Sequence, residues 1–477
     1  MLSVYTQSYA EKYSFYIDKK DLNKHLSIIA SDSFLGRATG MKGQQLTANY
    51  IANQYKKTGL KKKETTNGFF QNYTIIEAFP SGEMTVNQEE YSFFRDFLLF
   101  EPNFFGSVVN DVELLYISED VSEKEINKIS FENKLILLTG REIDDFDNIK
   151  LEKEYNKYKS LGASGVLFLS KTYHSLKNQF QEEAHQKYRF LERDVKQHVD
   201  FPLIFGNEEI FNKLDLTKKE RKRYDKNKSL KKPIALGKLS LSLNTDTTHL
   251  NASNVIGYIP GEDSLLKNET VVVMAHHDHL GVLNDKIYNG ADDNGSGTVA
   301  LLEIAEAFSV ASSQGHAPKR TIAFVSFSGE EIGLLGSRFY SKNPIFPMQK
   351  TIAALNIDMI GRVNEDSNSV FIIGSDFISE DLHTINEKVN QNYLGLNLDY
   401  TYNSISHPDR LFYRSDHYHF AKHEVPSIFY FGGFHDDYHQ PTDTIEKIDF
   451  EKLEKTTKLV YYCLWDIANR EQPLTKK

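Results

Sequence analysis

From residue 248 onward, short apolar runs alternate with longer amphipathic ones. VVVMA (271–275), TIAFVSF (321–327), IAALNID (352–358), VFIIG (370–374) and SIFYF (427–431) are apolar segments of strand length. Between them, TVALLEIAEAF (298–308), Ile332–Tyr340, a stretch around Glu380–Asn390 and a closing stretch over Asp449–Ile467 read as amphipathic helices. Apolar strands alternating with helices predict an α/β fold with a mixed, mostly parallel sheet covered on both faces. Functional groups in such sheets belong beyond the carboxyl ends of the strands.

The earlier chain reads differently. Helices are expected at Lys20–Ala30 and Gly43–Thr58, joined by the Gly- and Ser-rich loop SDSFLGRATG, and strand character begins after Gly68. Residues 1–95 are therefore assigned to an N-terminal helical arm. Residues 96–247 carry strand-like KLILLTG (134–140), ASGVLFLS (163–170) and PLIFG (202–206), with helix-like KLEKEYNKYKSLG between the first two. That order predicts a smaller separate α/β unit, with a catalytic domain following over 248–477. A length of 477 residues accommodates two or three such domains without disulfide support.

Composition narrows the chemistry. A net charge of −10 gives no overall positive field, which disfavours nucleic acid as the main partner. The one strongly basic stretch, TKKERKRYDKNKSLKK (217–232), lacks interleaved stacking aromatics and reads as a solvated face. Cys463 is the single cysteine, so a metal site here must be built from His and carboxylates. No apolar run is long enough to span a bilayer, and MLSVYTQSYAEKYSFYID does not have the layout of an intact signal peptide.

Polar clusters recur where the strands end. HHDHLG follows VVVMA and supplies His276, His277, Asp278 and His279. NGADDNGSG (289–297) precedes a helix, SFSGEE ends in Glu330 and Glu331, NIDMIGR carries Asp358, and DDYHQPTDT carries His439. His276 suits a metal, with Asp278 two residues on to accept its second ring N–H. His277 and His279 read as hydrogen-bonding loop histidines. Of the adjacent glutamates, one can bind metal while the other takes a proton from water. Asp358, at the end of an apolar strand, is costly unless paired or metal-bound. Two histidines, three carboxylate ligands and one free Glu suit a pair of zinc ions bridged by one carboxylate, hence metal-assisted hydrolysis without a Ser or Cys nucleophile.

These motifs resemble the M28 family of zinc metallopeptidases, the di-zinc aminopeptidases and their relatives. The resemblance implies a zinc-exopeptidase-like α/β/α sandwich with a smaller inserted domain similar to a protease-associated (PA) domain. It implies two Zn²⁺ per chain: His276 and Asp358 on the first, Glu331 and His439 on the second, and Asp293 bridging both, followed by a cis peptide to Asn294. Asp292 falls outside that register and stays unassigned. Glu330 becomes the general base on the water between the metals, and Asp278 orients His276. The successive ligand spacings of 17, 38, 27 and 81 residues look like the family layout.

The expected activity is removal of N-terminal residues from peptides with a free N-terminus, with no membrane span and no nucleic-acid partner. The alternatives are a carboxypeptidase or dipeptidase, for which Arg362, Arg410 and Arg414 could hold a C-terminal carboxylate, and a non-catalytic binding module on the same fold. In and beside RSDHYHFAKHEVPSIFYF, Tyr413, Arg414 and Asp416 are candidates for substrate contact. Family members with this architecture are often exported, so a secreted or periplasmic location is expected, with the export segment absent from this chain.

Overall fold

The computed structural model describes residues 9–99, 108–118, 121–139, 148–174, 188–194, 201–226, 232–363 and 369–477. Contacts divide the chain into two compact units, Met1–Ile75 with Leu250–Lys477, and Ile76–His249.

In the first unit the central strand Thr270–His276 lies between Thr321–Phe327 and Thr351–Asp358, parallel to both. Ser427–Phe431 adds in parallel on the outer side of Thr351–Asp358, then Ser369–Ile373 adds antiparallel. Residues 255–259 close the other side, antiparallel to Thr321–Phe327. The sheet is thus mixed and mostly parallel, as the alternation of strands and helices predicts. Strand side chains alternate between two buried layers. Val271, Val273 and Ala275 pack with Phe308 and Tyr461 of the helices Gly297–Ser313 and Phe450–Asn469, while Val272 and Met274 pack with Tyr340 and Phe420 on the opposite face.

The arm is part of this unit. Its helices Lys19–Ile29 and Lys42–Thr58 bury Leu22, Leu26, Ile51 and Tyr55 in the same core as Val299 and Leu302. Asp18 caps the first helix by accepting from the N–H groups of Lys20 and Asp21. The second stops at Gly59, whose φ of 84° suits the left-handed position that ends a helix. One expected helix begins later than its apolar spacing indicates, at Leu335 rather than Ile332. Gly329, Gly333 and Leu334 all have positive φ, so Glu330 and Glu331 sit in a turn before the helix.

The second unit builds its sheet from Val108–Tyr116, Lys134–Thr139, Gly165–Ser170 and Leu203–Asn207, successively parallel, with Phe97–Leu99 antiparallel at one edge and residues 234–242 antiparallel at the other. Residues 76–95, assigned from sequence to the arm, lie in this unit: Met84 and Val86 are buried with Leu239 and Leu241 in its core. Their strand alternation carries no mark of the domain they join, which only the pairing partner decides. In the basic stretch, Lys218–Asp225 is a helix with a Thr217–Glu220 capping box, and Arg221 donates to the carbonyls of Phe211, Asn212 and Leu214. Residues 227–231 of that stretch, like the first eight residues of the chain, lie outside the described residues.

Candidate metal centre

The parallel register aligns strand ends: His276 pairs with Phe327, and Asp358 with Phe431. Everything the chain emits past those ends therefore converges on one edge of the sheet. His276 and Asp358 are terminal strand residues, Glu330 and Glu331 follow Phe327 by a few residues, and His439 follows Phe431. The fifth contribution comes from the turn 291–296, which leads into the helix Gly297–Ser313.

That turn is knitted from several directions. Gly290 has φ 52°, and a Cβ there would meet the Asp293 carbonyl oxygen at 2.1 Å and the His279 ring at 2.4 Å, so no larger residue fits. The Asp293–Asn294 peptide is cis. Asn294 donates to the Ile357 carbonyl (2.9 Å) and accepts from the Met359 N–H (3.2 Å), tying the turn to the strand that ends in Asp358. Asp292, which sequence left unassigned, accepts from the Gly361 N–H at 2.6 Å. Asp443 accepts from the N–H groups of both Asp292 and Asp293.

Two half-sites result, sharing Asp293. Ligand atoms of His276, Asp293 and Asp358 lie within 4.8 Å of one another, as do those of His279, Asp293 and Glu331. Asp293 Oδ1 is 3.6 Å from His276 Nε2, while its Oδ2 is 3.2 Å from His439 Nε2. His439 Nε2 is also 3.1 Å from Glu331 Oε2, yet it has hydrogen-bond alignment with neither carboxylate. Imidazole nitrogens and carboxylate oxygens converging in this way suit a divalent cation such as zinc.

Charge supports that fit. Burial lowers the proton affinity of the His276 ring, but the Asp358 and Glu330 carboxylates outweigh it and hold the ring well above its ordinary value. His439 is likewise raised to about 11, against burial, by Glu331 and Asp293. Burial pushes Glu330 well up, with Glu331, Asp358 and Asp416 adding to it and His276 opposing. Glu331 goes the other way, since His279 and His439 outweigh its burial. Crowded buried carboxylates that force protons onto their histidines are a site short of positive charge.

Asp278 supports the centre from outside. Its carboxylate accepts from Thr39 Oγ1 (2.6 Å) and the Glu330 N–H (3.3 Å). The His276 Nδ1 is 3.2 Å from the Asp278 main-chain carbonyl and 3.7 Å from its carboxylate, so the carbonyl is the nearer acceptor. His277 faces away, between Gln44 (2.9 Å) and Ser326 (3.0 Å), and its burial lowers it to about 4. His279, read from sequence as a loop histidine, is buried with Nδ1 2.6 Å from Glu331 Oε1.

Other supporting residues gave no sequence signal. Ser415 donates to Asp358 Oδ2 at 2.8 Å. Arg37 is fully buried and donates to five main-chain carbonyls, those of His277, Ile29, Asn289, Gly290 and Asp293. Thr39, two residues on, also accepts from the Gly329 N–H (3.0 Å), so the arm braces the strand end, the bridging turn and the glutamate turn together. Of the three arginines considered as carboxylate anchors, Arg362 is paired with Asp437 (2.9 Å) and Arg410 lies over the Tyr413 ring. Arg414 lines a pocket together with His276, Glu330, Asp358, Phe431 and Phe434. Asp416, two residues on from Arg414, is buried and raised to about 7 chiefly by that burial.

Residues 254–464 match the sequence model of Peptidase family M28. Leucine aminopeptidase 1 of Ajellomyces capsulatus is 31% identical over 228 residues, covering 45% of this chain and 56% of the relative. Aminopeptidase YwaD of Bacillus subtilis is 27% identical over 236 residues, 47% of each. The chain thus spans about half the length of these curated relatives. The fold is shared more fully. The aminopeptidase from Aneurinibacillus sp. strain AM-1 superposes with a TM-score of 0.54 at 16% identity over 98% of both chains. BSAP, a zinc aminopeptidase from Bacillus subtilis, gives 0.51 at 17% identity over 96% of both.

Proposed function

We propose that this chain, whose residues 254–464 form an M28 peptidase domain, is a two-zinc aminopeptidase acting on peptides with a free N-terminus. The observation that carries the reading is the position of Asp293, with one oxygen toward His276 and the other toward His439. His276, Asp293 and Asp358 would hold one zinc, and Asp293, Glu331 and His439 the other. Bound zinc would polarise the scissile carbonyl and make water a competent nucleophile near neutral pH.

The chain's own groups do the rest. Glu330, raised by burial among carboxylates, is suited to accept the proton of the attacking water and return it to the leaving amine. Its N–H bond to Asp278 sets the start of that turn, while Asp278 also fixes the backbone beside His276. Ser415 occupies one oxygen of Asp358 and leaves the other facing His276. Phe429, Phe431 and Phe434 line the cavity and would exclude water around an apolar N-terminal side chain. An exported location accompanies this reading on the strength of the family resemblance.

The test is hydrolysis of a short peptide in three forms, with zinc present: free, N-acetylated and C-amidated. An aminopeptidase cleaves the free and amidated forms and loses the acetylated one. The second reading, a carboxypeptidase, is favoured by Arg414 in the cavity and requires the opposite pattern, with activity lost on amidation.

A further inference from the structure

The geometry points to Arg414 as a carboxylate-binding group in the cavity, so that preferred substrates carry a carboxylate close to the scissile bond; this rests on the peptidase reading above. Arg414 is the one Lys or Arg among the residues that line the cavity beside His276, Glu330 and Asp358. Its guanidinium stands over the Phe434 ring, 5.4 Å from the centroid, and donates to the Tyr438 hydroxyl at 3.5 Å. Tyr438 in turn stacks on His439, centroids 3.9 Å apart and planes within 22°. Arg414 also directly precedes Ser415, whose hydroxyl holds Asp358. The guanidinium is therefore connected to both half-sites through one neighbour each.

What it lacks, among the described residues, is a carboxylate partner. Among the described residues no carboxylate lies within ion-pairing distance of Arg414, although Arg362 pairs with Asp437 only a short way along the same sheet edge. The cavity carboxylates face one another and the histidines, and the proposed cations would neutralise them. An exposed but aromatic-anchored guanidinium keeps its donor fork in place at low entropic cost, and such a fork matches a carboxylate in two-point geometry.

The carboxylate could come from an acidic N-terminal side chain or from the C-terminus of a dipeptide. Both place it near the scissile carbonyl, and two substrate pairs separate them: Glu-anilide against Gln-anilide, and Leu-Gly against Leu-Gly-amide. Zinc-loaded wild type is expected to prefer the carboxylate member of one pair. Arg414→Gln is expected to reduce that preference in kcat/KM roughly 10- to 100-fold, mainly through KM, with Arg414→Lys intermediate. The pair that responds identifies the source. Equal loss on both members of each pair, or an unaltered preference, overturns the assignment. Calorimetric titration of the same four compounds provides a readout without turnover. If wild type hydrolyses none of them but binding still favours a carboxylate through Arg414, the peptidase reading falls and this inference stands. If hydrolysis proceeds with no such preference in rate or binding, the inference alone falls.

Discussion

Single side chains at the metal centre are governed by charge. Asp278, Asp293, Glu330, Glu331 and Asp358 are largely withdrawn from water around His276 and His439, and the carboxylate neighbours raise the proton affinity of each ring against its burial. Within that set burial holds Glu330 well above its ordinary value and Asp358 above its own, while neighbouring histidines hold Glu331 and Asp278 below theirs. Replacing Glu330 with Gln keeps the shape and removes the base. The expected result is unchanged zinc content with turnover reduced about 10²–10⁴-fold, read by metal analysis beside steady-state kinetics. Turnover near wild type would remove Glu330 from the base role.

A titratable residue away from the site makes stability depend on pH. Glu303 is completely buried on the helix Gly297–Ser313, 3.5 Å from His25 Nε2, with Glu306, Asp21 and Asp18 adding to its burial and Lys24 and Tyr50 nearby. It is raised to about 9. The unfolded chain releases this proton near 4.5, so between those values the unfolded state binds fewer protons and stability falls as pH rises. His25, lowered to about 4, contributes its own pH dependence only below its ordinary value of 6.5. Glu303→Gln should therefore gain about 2–3 kcal/mol over wild type between pH 6.5 and pH 8.5. A stability difference that stays constant across that range in denaturant titrations would contradict the shift.

The seven residues proposed for the site could be picked out of the sequence because each belongs to a short polar motif, most of them at a strand end or before a helix. Arg37 and Ser415 could not. Four of the five main-chain carbonyls that Arg37 holds lie 240 or more residues away, and the carboxylate that Ser415 holds lies 57 residues away. His279 illustrates a different limit: alternation along HHDH says which histidines share a side, but its 2.6 Å contact with Glu331 depends on a turn contributed by another strand.

At the scale of elements, the apolar runs located the core strands to within a residue or two, since a strand buried on both faces leaves a continuous signature. The helix after Glu331 was placed too early because apolar spacing registers side chains and is blind to the left-handed backbone at Gly333 and Leu334. The arm matters most here. Gly36, at φ 62°, brings its loop against Gly281 and Tyr288, where a Cβ would meet carbonyl oxygens at 2.4 and 2.5 Å, and so delivers Arg37 beneath the bridging turn. Burial lowers the Arg37 guanidinium to about 10, still charged at neutral pH, and five carbonyls satisfy it. Arg37→Ala leaves those carbonyls unpaired. We expect a loss of about 3 kcal/mol or more in stability and zinc affinity weakened roughly 10- to 100-fold, measured by chelator competition on folded protein. Wild-type zinc affinity in a folded variant would show that the arm supports the fold alone.

For the whole molecule, the unit that carries the candidate centre is assembled from two distant parts of the chain, 1–75 and 250–477, with Ile76–His249 as a unit of its own between them in sequence. The strand–helix–strand order of the sequence suggests a separate unit beginning at 96, whereas the contacts group residues 76–95 with that unit. The match to the M28 family model, over 254–464, lies outside that unit. Among the described residues no helix is long and apolar enough to cross a membrane.

All of the proposed chemistry depends on how many cations the shared Asp293 serves. The decisive measurement is anomalous scattering at the zinc edge from crystals of the zinc-loaded protein. The account predicts two peaks per chain, one between His276 and Asp358 and one between Glu331 and His439, each in contact with a different oxygen of Asp293. A single peak, or two that do not share Asp293, would contradict it.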